Sequence, residues 1–356
     1  MPSVYLDHNA TTPLHPAVLE AMMPYLTTHF GNASSIHWAG RAAARGVAAA
    51  REAVAHFLGA APPEIVFTSG GSESDNLAIF GAIGPDLSGS PIECVTTTVE
   101  HPAVLEPFST LEARGIRVRR IGVDRSGMLD LDALQGGIVP GRTRLVSVMF
   151  ANNETGTIFP IERIAEIVKA AGALFHCDAV QAAGRIPIDL RKIPIDLLSL
   201  SAHKMYGPKG VGALFVRKGV KLAPLLRGGG QERKRRAGTE NTAGIVGFGR
   251  ACTLAAEEMT RESERLRGLT ATFEAALRAR IPGVAVNTHP TARLPNTLNV
   301  SFEGADGESL LFNLDLAGIA ASSGSACSSG SLSPSHVLRA MGLPEGRVGS
   351  AIRFSL

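Results

Sequence analysis

"EIVFTSGGSESDNLAIFGAI", residues 64–83, decides the fold. Its first six residues form a short apolar run that Gly70-Gly71 ends, and "SESDNLAIFGAI" then reads as a helix. Strand, glycine turn and helix recur downstream. "IECVTTT" (92–98) is strand-like, and "PAVLEPFSTLEARG" (102–115) is a helix stopped by Gly115. "RLVSVMF" (144–150) reads as a buried strand. "IERIAEIVKAAG" (161–172) carries Ile161, Ile164, Ile167 and Val168 at the spacing of one helical face, with Gly172 as its cap. "ALFHCDAV" (173–180), "IDLLSLS" (195–201) and "VGALFV" (211–216) are further strands. This alternation predicts an α/β fold with a mostly parallel sheet, whose ligands sit at the carboxyl ends of the strands.

After about residue 258 the texture changes. "RESERLRGLTATFEAALRARIPG" (261–283) reads as a long amphipathic helix with Leu266, Leu269, Phe273 and Leu277 on one side. The rest of the chain reads as a smaller α+β domain containing "SSGSACSSGSLSPS" (322–335), a serine- and glycine-rich loop around Cys327. Packing does not account for a thiol in such a loop, where it is chemically available.

The 356 residues are 45% hydrophobic and 19% charged, an ordinary globular composition long enough for a large core. The net charge of +3 gives weak support for nucleic-acid binding. The one charge run, "QERKRRAG" (231–238), is short and lacks interleaved aromatics. No apolar run is long enough to span a bilayer, and "MPSVYLDHNATTP" lacks a basic segment followed by an apolar one. The four cysteines, Cys94, Cys177, Cys252 and Cys327, form no C-x-x-C pair. A cytosolic protein with reduced thiols and no membrane partner is expected.

The chemistry-bearing residues fall where strands end. "TSGGSES" (68–74) offers an anion cradle at a helix start, or merely a turn capped by Ser72 with Asp75 closing a capping box. In "SAHKMYGPKG" (201–210), Lys204 lies just past a strand, where it is either a solvated loop lysine or an amine that desolvation frees for imine formation. In "HCDAVQAAG" (176–184), alternation puts His176 and Asp178 on one face and Cys177 on the other, which argues against a shared metal. Asp178 reads as a carboxylate facing a ligand, or as a helix cap. His101 precedes a helix in "VEHPAVLE" (99–106), and Asn153 sits in the polar loop "ANNETGTI" (151–158). An anion cradle, a lysine, an aspartate, a histidine and an asparagine thus gather at successive strand ends.

"YLDHNATT", "TSGGSESDNLAI", "EHPAVLE", "NNETG", "DAVQAAG", "SAHKMYGPKG", "RAGTENT", "SSGSACSSGSLSPSHVL" and "AIRFSL" occur in this order from Tyr5 to the last residue. In them the chain resembles the pyridoxal-phosphate-dependent cysteine desulfurases of the NifS/IscS kind, in the class V aminotransferase family. The resemblance implies a PLP-dependent transferase of fold type I. Its large domain spans 14–258, and its small domain is made by 1–13 with 259–356 and carries a mobile cysteine loop at about 321–335. It implies that Lys204 holds the cofactor as a Schiff base, and that Asp178 pairs with the pyridine nitrogen. Gln181 touches the ring's phenolic oxygen with Asn153 beside it, and His101 stacks on the ring and moves protons. Gly71, Ser72, Ser201 and His203 bind the phosphate. Thr239 reaches the phosphate of the neighbouring subunit of a homodimer, and Arg353 takes the substrate carboxylate.

The implied reaction converts L-cysteine to alanine and leaves a persulfide on Cys327. A sulfur-acceptor or scaffold protein then receives the sulfur for iron–sulfur cluster assembly or tRNA thiolation. No firm metal site is implied, although the family raises Cys327 as a transient iron–sulfur ligand. An unperturbed thiol is only a few per cent ionised at neutral pH, so a nearby base or cation should help, and His101 is the candidate. Three features depart from the family: His8 stands where Asn is frequent, Cys177 replaces an aliphatic residue, and relatives continue past "RFSL" with a glycine-arginine turn and another helix. The competing expectations are a selenocysteine lyase or other aminotransferase-fold enzyme, and an inactive, truncated sulfur-transfer scaffold.

Overall fold

The computed structural model describes residues 3–85, 92–324 and 334–356. In chain order its elements begin with β1 (Val4–Tyr5), α1 (Pro16–Thr27) and α2 (Trp38–Leu58). The alternating region comes next: β2 (Ile65–Thr68), α3 (Gly71–Ile83), β3 (Glu93–Thr97), α4 (Pro102–Ala113), β4 (Arg117–Ile121), α5 (Leu131–Gly137), β5 (Thr143–Ser147), α6 (Ile161–Ala170), β6 (Leu174–Asp178), β7 (Leu197–Ser201) and β8 (Gly212–Val216). The remainder comprises α7 (Thr242–Arg280), β9 (Val284–Val286), β10 (Thr297–Phe302), α8 (Gly307–Leu316), β11 (Ile319–Ala320), α9 (His336–Ala340), α10 (Glu345–Gly349) and β12 (Ala351–Ser355).

β2 to β8 form a seven-stranded sheet in the order β2-β8-β7-β6-β5-β3-β4. β8 runs antiparallel to both of its neighbours, and the other pairs are parallel. Two reversals restore the original sense, so β2 points the same way as β7. The carboxyl ends of β2, β7, β6, β5 and β3 therefore share one edge.

The sheet's two faces bury alternate residues, as a pleated strand dictates. Val66, Cys94, Leu145, Leu197 and Leu214 pack with Leu77 of α3 and Phe108 of α4. Phe67, Val95, Val146, Leu198 and Phe215 belong to a second core with Val54 of α2, Ile164 of α6 and Phe248 of α7. Helices on both faces of a mostly parallel sheet make the three-layer α/β arrangement that the sequence predicts. A three-stranded antiparallel sheet, β12-β10-β9, stands apart with its own core of Leu298, Val300, Ile352 and Phe354.

Two readings need correction. The helix read from residue 261 begins at Thr242 and passes through residue 258 without a break. Leu269 is 45% exposed, whereas Leu266 is buried, and Phe273 meets Phe354 edge-on with ring centroids 5.1 Å apart. The apolar side of α7 therefore skips Leu269. The strand read over 144–150 ends at Ser147, although the Val148 and Phe150 amides still donate to the His176 and Asp178 carbonyls.

Candidate active site

At the shared edge of the sheet lies a cavity of about 230 Å³. Its wall includes Gly71, Ser72, His101, Asn153, Asp178, Gln181, Ser201, His203, Lys204 and Arg353. Each arrives from a strand end or the turn beyond it, apart from Arg353, which projects from β12 of the smaller sheet. Thr239 is exposed and lines a separate recess with Ser69, Glu232 and Arg236. Cys327 lies outside the described residues.

The glycine turn after β2 is steric in origin. A Cβ on Gly71 would stand 2.9 Å from Val180 Cγ2, and one on Gly212 would stand 2.7 Å from Gly70 Cα. Gly70 takes a φ of 154°, a conformation that L side chains rarely adopt. The expected capping box is not formed. Ser72 lies inside the first turn of α3, and the residue before the helix, Gly70, has no side chain to cap it. Glu73 instead accepts from the Ser69 amide at 2.7 Å and pairs with Arg236 at 2.8 Å. The α3 N-terminus keeps unpaired backbone amides at the cavity, as every helix start does. Beside it, the Ser201 hydroxyl is buried with no hydrogen-bond partner.

Lys204 comes after β7 in a short 3-10 turn, and its Nζ donates to the carbonyls of Asn9 at 2.6 Å and Ala10 at 2.7 Å. Gln181 Nε2 also donates to the Asn9 carbonyl, at 3.0 Å. The segment from Asp7 to Thr12 is thus built into the site. Asp7 accepts from Arg353 Nη2 at 2.7 Å, and the Asn153 carbonyl accepts from Arg353 Nη1 at 3.0 Å. Arg353 Nε is buried without a partner.

Sequence reasoning has no handle on Asp7 or Asn9 as site residues. Their only signal is their place in "YLDHNATT".

His101 caps α4. Its Nδ1 accepts from the Ala103 amide at 3.1 Å, so the ring proton sits on Nε2. Burial, followed by the positive charges of Lys204 and His336, lowers its pKa to about 4. The ring is therefore neutral at physiological pH with its basic nitrogen already engaged. In this arrangement the ring offers the cavity an Nε2 proton.

Behind the cavity, His176 lies between Ser147 Oγ at 2.8 Å and Ser199 Oγ at 3.0 Å, with Asp75 Oδ1 3.5 Å from its Nε2. Asp75 belongs to this buried cluster. Asp178 accepts from the Val180 amide at 2.9 Å. Burial raises both Asp75 and Asp178 to about 7, and Glu100, buried at the end of the next turn, to about 8. Burial lowers His101, His176 and His203 to about 4.

These shifts fix the sign of a pH dependence. Between about pH 4 and 6.5 the carboxyls bind more protons when folded and the histidines more when unfolded, so the two effects oppose. Above about 6.5 each unfolded histidine sheds only its remaining fraction of a proton, a smaller opposing effect, while the carboxyls titrate across the whole interval, so folding stability falls as pH rises. The cofactor-free protein is expected to lose on the order of 2 kcal/mol net between about pH 6.5 and 8, a few degrees in Tm. Thermal melts across that interval check this, and a constant or rising Tm would contradict the burial of three protonated carboxyls.

With this geometry in view, comparison with known proteins becomes specific. The family model for aminotransferase class-V matches residues 4–356. The chain belongs to the class-V aminotransferase family. A cysteine desulfurase of Gluconacetobacter diazotrophicus is 53% identical over all of this chain and 88% of its own length, and one of Cereibacter sphaeroides is 54% identical over all of this chain and 91% of its own. Among solved structures, a NifS-like protein superposes with a TM-score of 0.93 at 40% identity, covering 99% of this chain and 93% of that one. A NifS-like protein from Rickettsia africae gives a TM-score of 0.89 at 33% identity, over 99% and 94%. The class-V fold thus accounts for the whole chain, including the smaller sheet that supplies Arg353.

Proposed function

We propose that this chain is a pyridoxal-phosphate-dependent cysteine desulfurase. The supporting observation is the convergence on one cavity of an amine, a buried carboxyl, an amide-rich helix start with an unpartnered hydroxyl, and a guanidinium. The donor set fits the cofactor. The α3 N-terminus, Ser201 and His203 suit its phosphate, Asp178 its ring nitrogen, Gln181 and Asn153 its phenolic side, and Lys204 its aldehyde carbon. When bound, the cofactor supplies an electron sink for carbanion chemistry at the substrate's α-carbon.

The chain's own residues do the remainder. Arg353 holds the substrate carboxylate through a guanidinium already oriented by Asp7 and Asn153. Lys204 takes and returns a proton near the substrate, and His101 presents a proton from Nε2. Cys327 attacks the substrate sulfur, so the carbon–sulfur bond breaks and a sulfur–sulfur bond forms. L-cysteine and a thiol thereby become alanine and a persulfide with no other reagent.

A homodimer completes the proposal. Thr239 is exposed and away from the cavity of its own chain, and Phe30, Ile36 and Trp38 are 74%, 91% and 69% exposed. Such a concentration of large apolar side chains suits a second copy. The persulfide passes to an acceptor or scaffold protein for iron–sulfur assembly or tRNA thiolation.

Alanine release from L-cysteine with a thiol reductant, at equal cofactor content, tests the reading. Cys327→Ala is expected to reduce alanine formation about a hundredfold or more. Equal release by both proteins would remove Cys327 from the mechanism and favour a selenocysteine lyase or another aminotransferase-fold activity. No release by either, with cofactor bound, would favour a non-catalytic sulfur scaffold.

A further inference from the structure

Glu154 comes after Asn153 in the turn beyond β5, yet its side chain does not enter the cavity. It is 2% exposed. Its backbone is held on both sides: its amide donates to Asn152 Oδ1 at 2.9 Å, and its carbonyl accepts from Asn299 Nδ2 of β10 at 3.2 Å. Its carboxylate meets the two places where the described chain borders residues 325–333. On the far side, the Ser335 hydroxyl donates to Oε2 at 2.5 Å while accepting from the Leu338 amide at 3.1 Å, which caps α9. On the near side, a Cβ built on Gly324 would lie 3.0 Å from Oε2 and 3.2 Å from Cγ, so Gly324 packs directly on the Glu154 side chain. Gly324 also has a φ of 89°, which an L side chain resists.

The surroundings reinforce this. Ser322 accepts from the Gly324 amide through Oγ at 3.1 Å and exchanges backbone hydrogen bonds with Arg353. His336 Nε2 lies 3.0 Å from the Glu100 carbonyl. Burial pushes the Glu154 carboxyl above its ordinary pKa, and the Ser335 hydroxyl opposes the shift. A buried acid whose partner among the described residues is one hydroxyl is costly to fold unless it serves placement.

We propose that Glu154 is a positioning residue for Cys327: by accepting the Ser335 hydroxyl and filling the space beside Gly324, it fixes the chain at two points that border the segment containing Cys327. The proposal rests on Cys327 as the sulfur-receiving thiol, but its central readout does not depend on activity. Cys94, Cys177 and Cys252 are buried, so iodoacetamide reports Cys327 in the folded holoenzyme.

The test compares Glu154→Ala, Glu154→Gln and Ser335→Ala. Glu154→Ala and Ser335→Ala are expected to lower kcat for alanine formation about tenfold, with KM for L-cysteine within about twofold, and to change the Cys327 alkylation rate at least about threefold. Combining the two should do no more than the stronger alone, because both break one contact. Glu154→Gln keeps an oxygen for Ser335 and should recover most of the loss. Unchanged alkylation and kcat in Glu154→Ala and Ser335→Ala would overturn the proposal, as would a Glu154→Gln no better than Glu154→Ala. If Glu154→Ala does not fold, Ser335→Ala and Glu154→Gln carry the test. If Cys327→Ala still releases alanine, the desulfurase reading fails, while the alkylation result still stands or falls alone.

Discussion

Alanine formation from L-cysteine should fall by about three orders of magnitude or more in Lys204→Ala. Lys204 is the one amine on the cavity wall among the described residues, and the Asn9 and Ala10 carbonyls hold its Nζ at 2.6 and 2.7 Å. No other side chain at that position can both bond a carbonyl carbon and shuttle a proton. The substitution should spare the fold. Lys204 comes after β7 rather than within it, and the two carbonyls it vacates border a cavity that water can enter. Activity and thermal melting measured together decide the matter. Residual activity above about a tenth of wild type would remove Lys204 from the chemistry, and a collapsed melt would make it structural.

The second large effect belongs to Arg353. Its side chain is 4% exposed and pairs with Asp7 at 2.7 Å. Arg353→Ala removes a substrate carboxylate's partner and strands a largely buried acid. Such a break typically costs about 3–5 kcal/mol of stability, and kcat/KM should drop by about a thousandfold. Arg353→Lys separates the two effects. An ammonium can still meet Asp7 but cannot form a two-pronged contact with a second carboxylate. Stability should largely return in Arg353→Lys, while KM for L-cysteine stays raised by at least about tenfold. A lysine variant with normal KM would exclude Arg353 from substrate binding.

Much of this site is visible in the sequence because strand ends carry strong local signals. Gly70-Gly71 after "EIVFTS", Lys204 after "IDLLSLS" and Asp178 after "ALFHC" announce themselves by an apolar run that stops at a polar or glycine residue. The α/β alternation is legible for the same reason. Partnerships made over long sequence distance are not. Nothing local to "YLDHNATT" shows that the Asn9 carbonyl receives Lys204, or that Asp7 receives Arg353. His101 shows a subtler limit. Its position before a helix is plain, but the occupied Nδ1, which decides whether the ring can act as a base, emerges only from the cap geometry. Leu269 fits a helical stripe by spacing, yet it is 45% exposed, because spacing along one helix does not show which of its residues a neighbouring element covers.

The pairing of Asp7 with Arg353 joins residues 346 positions apart, and the Asn9 side chain lies on Thr297 of β10. During translation the large sheet can fold on the ribosome well before Arg353 exists, leaving the cavity without its arginine wall. A nascent chain can therefore contain Lys204 and the Asn9 and Ala10 carbonyls that receive it while lacking the group proposed to select amino-acid carboxylates. Order of synthesis thus separates folding of the scaffold from the onset of substrate selectivity, and productive turnover must wait until residue 353 has left the exit tunnel.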